Sequence, residues 1–94
     1  MLYLKQSHLP EGWVVKNPLP IQVCWDERYY LVSDGILNQW GIGDTIEDAN
    51  LDYGSTLVEI YEIYENGAIS GNGFDAADLA EIRHYIERKP VLLI

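Results

Sequence analysis

"WGIGDTIEDA", residues 40–49, decides how the rest of the chain is read. Two glycines flank an isoleucine, an acidic residue follows, and a threonine opens an amphipathic run. A dinucleotide loop requires G-x-G-x-x-G after a strand, and a P-loop requires G-K-[ST]. Here Gly41 and Gly43 are followed by Asp44, Thr45 and Ile46, so the third glycine and the lysine are both missing. Asp44 puts negative charge where a bound anion would sit, yet it suits the positive end of a helix dipole. Thr45 can cap the first free amides, and Asp48 three residues on completes a capping-box pattern. The stretch reads as a junction between sheet and helix, with the glycines turning the chain.

Downstream, Ile46, Ala49, Tyr53, Leu57, Ile60 and Tyr64 recur at spacings of three and four, which predicts a helix over residues 45–66 lying on a core. Asp48, Asp52, Ser55, Glu59 and Glu62 fall on its other side. Gly54 sits mid-helix, at a cost of about 1 kcal/mol relative to alanine, and can allow close approach to the sheet. "ENG" at 65–67 is expected to stop the helix, and "ISGNG" at 69–73 to act as a joint. A second helix is predicted over residues 75–89, capped by Asp75, with Leu79, Ile82 and Ile86 as its apolar stripe and Pro90 barring its continuation. "VLLI" at 91–94 would pair with a sheet edge or with a second copy.

Upstream, "IQVCW" at 21–25 alternates, with Ile21, Val23 and Trp25 on one face and Gln22 and Cys24 on the other. "RYYLVS" at 28–33 is aromatic and β-branched, and Asp26 and Glu27 form the polar connection of a hairpin. "DG" at 34–35 ends the second strand, and "QWGI" at 39–42 is a third. Residues 1–20 hold two further short strand candidates, at 2–4 and 12–16. The expected fold is a single α+β domain over residues 1–94: a small antiparallel sheet of three or more strands packed against one long helix, with a short C-terminal helix.

A chain of 94 residues builds one modest core. Fifteen Asp and Glu against six Lys and Arg give a formal net charge of −9. Such a field repels phosphate backbones and favours a basic partner, although it also serves plain solubility. Direct nucleic-acid binding is therefore not expected. The single cysteine, Cys24, rules out an internal disulfide and lies among hydrophobic residues, so it is expected to be buried and the compartment reducing. Neither a signal peptide nor a membrane span is evident, which points to the cytoplasm and away from a membrane.

Catalytic chemistry finds little support. His8 and His84 are the only histidines, and they are far apart in sequence. No H-x-x-x-H, C-x-x-C, G-x-S-x-G or Asp-rich loop supplies ligand or nucleophile spacing. The chain is expected to be no enzyme and to use no metal or cofactor. The consecutive Tyr29 and Tyr30 must point to opposite faces of their strand. One of them, with Trp40, therefore makes a candidate sticky surface unless another element covers it.

An acidic hairpin, an aromatic pair, a short loop and then a G-D-T-x-E-D-A helix start together resemble the N-terminal domain of HicB-like antitoxins. The residues that carry the resemblance are Asp26, Glu27, Tyr29 and Tyr30, then Gly43, Asp44, Thr45, Glu47, Asp48 and Ala49, within residues 21–66. The resemblance implies a truncated ribonuclease H-like sheet and helix without an active site. It also implies self-association and occlusion of a small basic, RNA-cleaving toxin. The implied contact surface comprises Asp26, Glu27, Tyr30, Trp40, Asp48 and Asp52. The chain departs from the family pattern in two places: "DGILNQW" carries no proline, and the residues after Gly73 are too few and too acidic for a DNA-binding module. A stand-alone, self-associating regulatory module without a toxin is the alternative, and an enzyme using the helix carboxylates or His84 is a third.

Overall fold

The computed structural model describes residues 1–90, and "VLLI" lies outside them. Along the chain run β1 (Leu2–Tyr3), a 3-10 turn (Gln6–His8), β2 (Trp13–Val15), β3 (Pro20–Trp25), β4 (Tyr30–Ser33), β5 (Trp40–Gly43), α1 (Ile46–Ile69), α2 (Gly73–Arg83) and β6 (Ile86–Arg88). The architecture is α+β. An antiparallel four-stranded sheet of order β1-β3-β4-β5 carries α1, and β2 pairs with β6 in a separate two-stranded ribbon.

The register explains the glycines of the opening stretch. Val32 lies opposite both Val23 and Gly41, and Tyr30 opposite both Trp25 and Gly43. Directly paired residues share a face, so Gly41 and Gly43 look toward α1 together with the buried Val32 and Ile21. A Cβ on Gly41 would lie 2.6 Å from the Tyr53 Cα, and one on Gly43 2.6 Å from the Asp48 carbonyl carbon. Both glycines are strand residues that let the helix backbone lie directly on β5; they do not turn the chain.

Thr45 starts α1 as expected, with its Oγ1 accepting from the Asp48 N–H at 3.0 Å. Glu47 and Asp48 occupy the first turn, where their charge complements the helix dipole. Ala49, Tyr53 and Leu57 are fully buried against the sheet. A second stripe, Asn50, Gly54, Val58 and Tyr61, is also buried, because α1 is covered on a second side by the 3-10 turn and the β2–β6 ribbon. Gly54 faces that turn and not the sheet: a Cβ there would run into the His8 carbonyl. Trp13 packs edge-on against Tyr61, with ring centroids 4.8 Å apart, and Arg88 lies over the Trp13 ring at 4.9 Å.

The C-terminal third differs from the expected pattern. "ENG" does not end α1, which continues to Ile69, and the chain turns instead at Gly71, whose φ of +87° suits only glycine without strain. Asn72 and not Asp75 caps α2, its Oδ1 accepting from the N–H groups of Phe74 and Asp75 at 3.0 and 3.3 Å. The helix predicted over 75–89 ends at Arg83. Ile86–Arg88 is a strand because it supplies the only partner β2 has among the described residues, with Val15 opposite Ile86 and Trp13 opposite Arg88. Ile86 is fully buried there, so its apolar character marked core and not a third turn of helix.

Candidate functional site

Since alternate strand residues face opposite ways, the side of the sheet turned away from α1 carries Gln22, Cys24, Leu31, Ser33, Trp40 and Ile42. Cys24, Leu31 and Ile42 form one cross-strand row, and Gln22, Ser33 and Trp40 the next. Trp40 is 62% exposed and Ile42 47%. Cys24 is exposed too, contrary to the expected burial. Its hydrophobic neighbours in sequence belong to the opposite face, and among the described residues no element packs on this one.

Among the described residues strand β5 is the outer strand on this side, and its free edge is partly closed by the helix. The Ile42 N–H donates to Asp52 Oδ2 at 2.8 Å, away from β4. By the alternation of an antiparallel ladder, the backbone groups of Trp40 point the same way. Asp52 thus blunts one position of an edge that would otherwise invite strand addition.

The six expected contact residues do not form one flat patch. Asp26 and Glu27 occupy the β3–β4 connection, which spans four residues, 26–29, so the second strand begins at Tyr30 and not at 28. Glu27 adopts a φ of 55°, and the Asp26 N–H donates to the Tyr29 carbonyl at 2.9 Å, closing the loop. Tyr29 lies half-buried on that loop, where a hydrogen bond from its hydroxyl to Asp26, and then the Asp26 charge, raise its pKa. Tyr30 is half-buried against Trp25, with ring centroids 4.8 Å apart. Opposite Tyr30 lies Gly43, and over Gly43 lies Asp48. Asp26, Glu27, Tyr30 and Asp48 therefore gather at the hairpin end of the sheet, on the α1 side. Trp40 sits at the other end of β5 and faces outward, with Asp52 on the edge between the two groups.

Two polar constellations carry no signal in the sequence beyond single residues. Asp34, read only as a turn signal, is buried and accepts from the N–H groups of Ile36, Leu37, Asn38 and Gln39. The buried Tyr53 hydroxyl donates to Asp34 Oδ2 at 2.5 Å. Burial raises the Tyr53 pKa first, and the bond to Asp34 next, so the phenol stays protonated. This carboxylate folds residues 34–39 around itself and fastens them to α1. The second is Glu65, which accepts from Arg88 Nη1 at 2.7 and 2.8 Å and from Arg83 Nη2 at 3.4 Å. The Arg88 hydrogen bond leads the lowering of the Glu65 pKa. Arg83 Nε also donates to the Tyr61 hydroxyl at 2.9 Å. These bonds tie α2 and β6 to α1, and their role is structural.

The histidines are far apart in function as well as in sequence. His84 is exposed at the end of α2, its ring edge-on to Tyr85 at 4.7 Å. His8 is buried, and its Nδ1 accepts from the Lys5 N–H at 3.1 Å. Burial lowers its pKa, against an opposing pull from Glu47. No group of three or more His, Cys, Asp or Glu side chains is arranged to hold a metal among the described residues. No helix among them is long and apolar enough to cross a membrane. Searches against family models, curated proteins and solved structures return no match for this chain.

Proposed function

We propose that this chain is a non-enzymatic binding protein that occludes a small basic partner, as its resemblance to HicB-like antitoxins implies. The observation that carries the reading is the outer face of the sheet, on which no described element packs, with Trp40 and Ile42 exposed on an edge strand beside an acidic helix. Large aromatic and aliphatic side chains supply binding energy, while carboxylates steer a cationic partner and set its register. The contact wraps around β5: Trp40 engages from the outer face, Asp48 and Asp52 from the helix side, and Asp26, Glu27 and Tyr30 from the hairpin end. A small RNA-cleaving toxin is the class of partner this arrangement suits, and the cytoplasm is the compartment the reading calls for.

The test is affinity purification of the tagged chain from its native host at low and at high salt. A small basic protein recovered at low salt, lost at high salt and lost with Trp40→Ser is the expected result, and its ribonuclease activity should be blocked by the wild-type chain. Recovery of no such protein at either salt sinks the proposal.

A second reading, self-association without a toxin, draws on the same free edge of β5, since a second copy could add strand to strand there. Sedimentation decides it: a wild-type chain that runs as a monomer at all concentrations excludes it.

A further inference from the structure

Among the described residues β2 pairs only with β6, and a side chain occupies its other edge. The Lys16 N–H donates to the Tyr85 carbonyl and the Lys89 N–H to the Gly12 carbonyl, so residues 12, 14 and 16 turn their backbone groups toward β6. By the alternation of the ladder, Trp13 and Val15 turn theirs the other way. There the Gln6 amide makes the two bonds that a peptide unit of an added strand would make. Its Nε2 donates to the Trp13 carbonyl at 2.7 Å, and its Oε1 accepts from the Val15 N–H at 2.9 Å. Gln6 belongs to the 3-10 turn, and His8 closes that turn from its far end. The His8 Nδ1 accepts from the Lys5 N–H at 3.1 Å, the bond that a glutamine makes at the third position of a capping box.

Only a neutral imidazole can accept there. Protonation puts a hydrogen on Nδ1, and two donors then face each other across the same gap. At the other side of the ring, Nε2 lies 3.8 Å from Glu47 Oε2, where a positive charge is attracted. A protonated His8 is thus pushed off the Lys5 N–H and drawn toward α1. The Lys5 ammonium on its own turn opposes the charge, and burial opposes it more strongly. Tyr3 on β1 is the other titratable group lining the cleft beside His8, and β3 contributes only Ile21 and Val23.

We propose that His8 is a pH-operated latch: neutral, it holds Gln6 on the edge of β2, and protonated, it releases the turn and bares that edge. The ring is only 4% exposed, so taking up a proton and opening the turn are one event. The neutral protein keeps the edge closed against strand addition, and the protonated one does not. The latch uses neither β5 nor the outer face of the four-stranded sheet, so failure of the toxin reading leaves it standing.

Amide exchange of the full chain, read by NMR as protection factors from about pH 7.5 down to about pH 5, tests it. The Lys5 and Val15 amides should lose protection roughly tenfold per pH unit below 6.5, and at every pH should exchange well ahead of the Tyr53 amide in α1. His8→Gln carries an amide oxygen that accepts from the Lys5 N–H at any pH, so both amides should stay protected throughout. Gln6→Ala, at an exposed position, should leave Val15 unprotected at every pH while Lys5 still responds to acid. Glu47→Gln, also exposed, removes the pull on the charged ring and should move the onset to lower pH. Val15 protection that ignores pH, or that falls only in step with Tyr53 and to the same value, overturns the latch. An acid response that survives in His8→Gln, or a Val15 amide still protected in Gln6→Ala, overturns it equally.

Discussion

Gly41→Ala offers the sharpest test of how this fold closes, because two physical arguments predict opposite signs. Glycine inside a strand is entropically costly, so replacing it with alanine should by itself stabilise the protein by about 0.5–1 kcal/mol. At position 41, however, the new methyl would lie 2.6 Å from the Tyr53 Cα and 2.8 Å from the Ala49 carbonyl oxygen. Both are helix backbone, so no side chain can swing away. Ordinary contact, with the Tyr53 backbone nitrogen nearer still, requires α1 to withdraw by more than ~1 Å, and a gap of that size forfeits at least a quarter to a half of the dispersion attraction along the interface. Ala49, Tyr53 and Leu57, all fully buried, line that interface. The same withdrawal pulls the Tyr53 hydroxyl away from Asp34. Overpacking of this kind costs about 3 kcal/mol, which for a domain of this size lowers Tm by roughly 12–24 °C. Urea and thermal unfolding of Gly41→Ala should be read beside Gly35→Ala, where nothing lies within 4 Å and φ is not in the left-handed region. The control should be neutral or stabilised by about 0.4–1 kcal/mol. A Gly41→Ala protein as stable as wild type would refute the close approach of helix and strand.

Two further predictions concern buried polar groups. Tyr53→Phe removes one charge-assisted bond from Asp34 and should cost about 2 kcal/mol in urea unfolding, with faster amide exchange across residues 36–39. A cost under about 0.5 kcal/mol would mean that the four backbone N–H groups satisfy the carboxylate alone. His8 has its folded pKa below the unfolded value of 6.5, so the folded state binds fewer protons and its contribution is complete above pH 6.5 and lost as pH falls below it. Stability should therefore decline as pH falls below 6.5, by at most ~1.4 kcal/mol per unit, before the Glu65 contribution begins to fail below its unfolded value of 4.5. The His8→Gln protein, compared with wild type by urea midpoints at several pH values, should lose the first decline and keep the second; an unchanged first decline would remove His8 as its source.

The helix was legible where its residues obey one simple rule. Thr45 caps, and Ala49, Tyr53 and Leu57 recur at helical spacing, so the start and sheet-facing stripe of α1 could be read directly. The second buried stripe was not, because Asn50 and Gly54 are poor markers of burial, and Gly54 makes sense only once the His8 carbonyl is seen against it. Likewise, the three-residue strand Ile86–Arg88 is too short for its own periodicity to outvote the helix before it. Its partner, Trp13–Val15, lies more than seventy residues away. Cys24 was misplaced because hydrophobic neighbours along a strand say nothing about which face is covered. Of the candidate contact residues, the sequence grouped six; the fold separates them by face, a property set by register.

That separation follows from the glycines. A strand that packs a helix through two Cα atoms has nothing to bury on that side, so its only side chains of any size, Trp40 and Ile42, are sent to the other face. Had Gly41 and Gly43 been valines, β5 would have contributed core and α1 would have sat further away, beyond the reach of Asp52 to the Ile42 N–H. The close approach therefore does two things at once. It fixes a carboxylate on the strand edge, and it leaves an indole exposed just around that edge. An acidic rim beside an exposed aromatic follows from the packing of the junction, which is why the stretch that decides the fold also marks where binding should be sought.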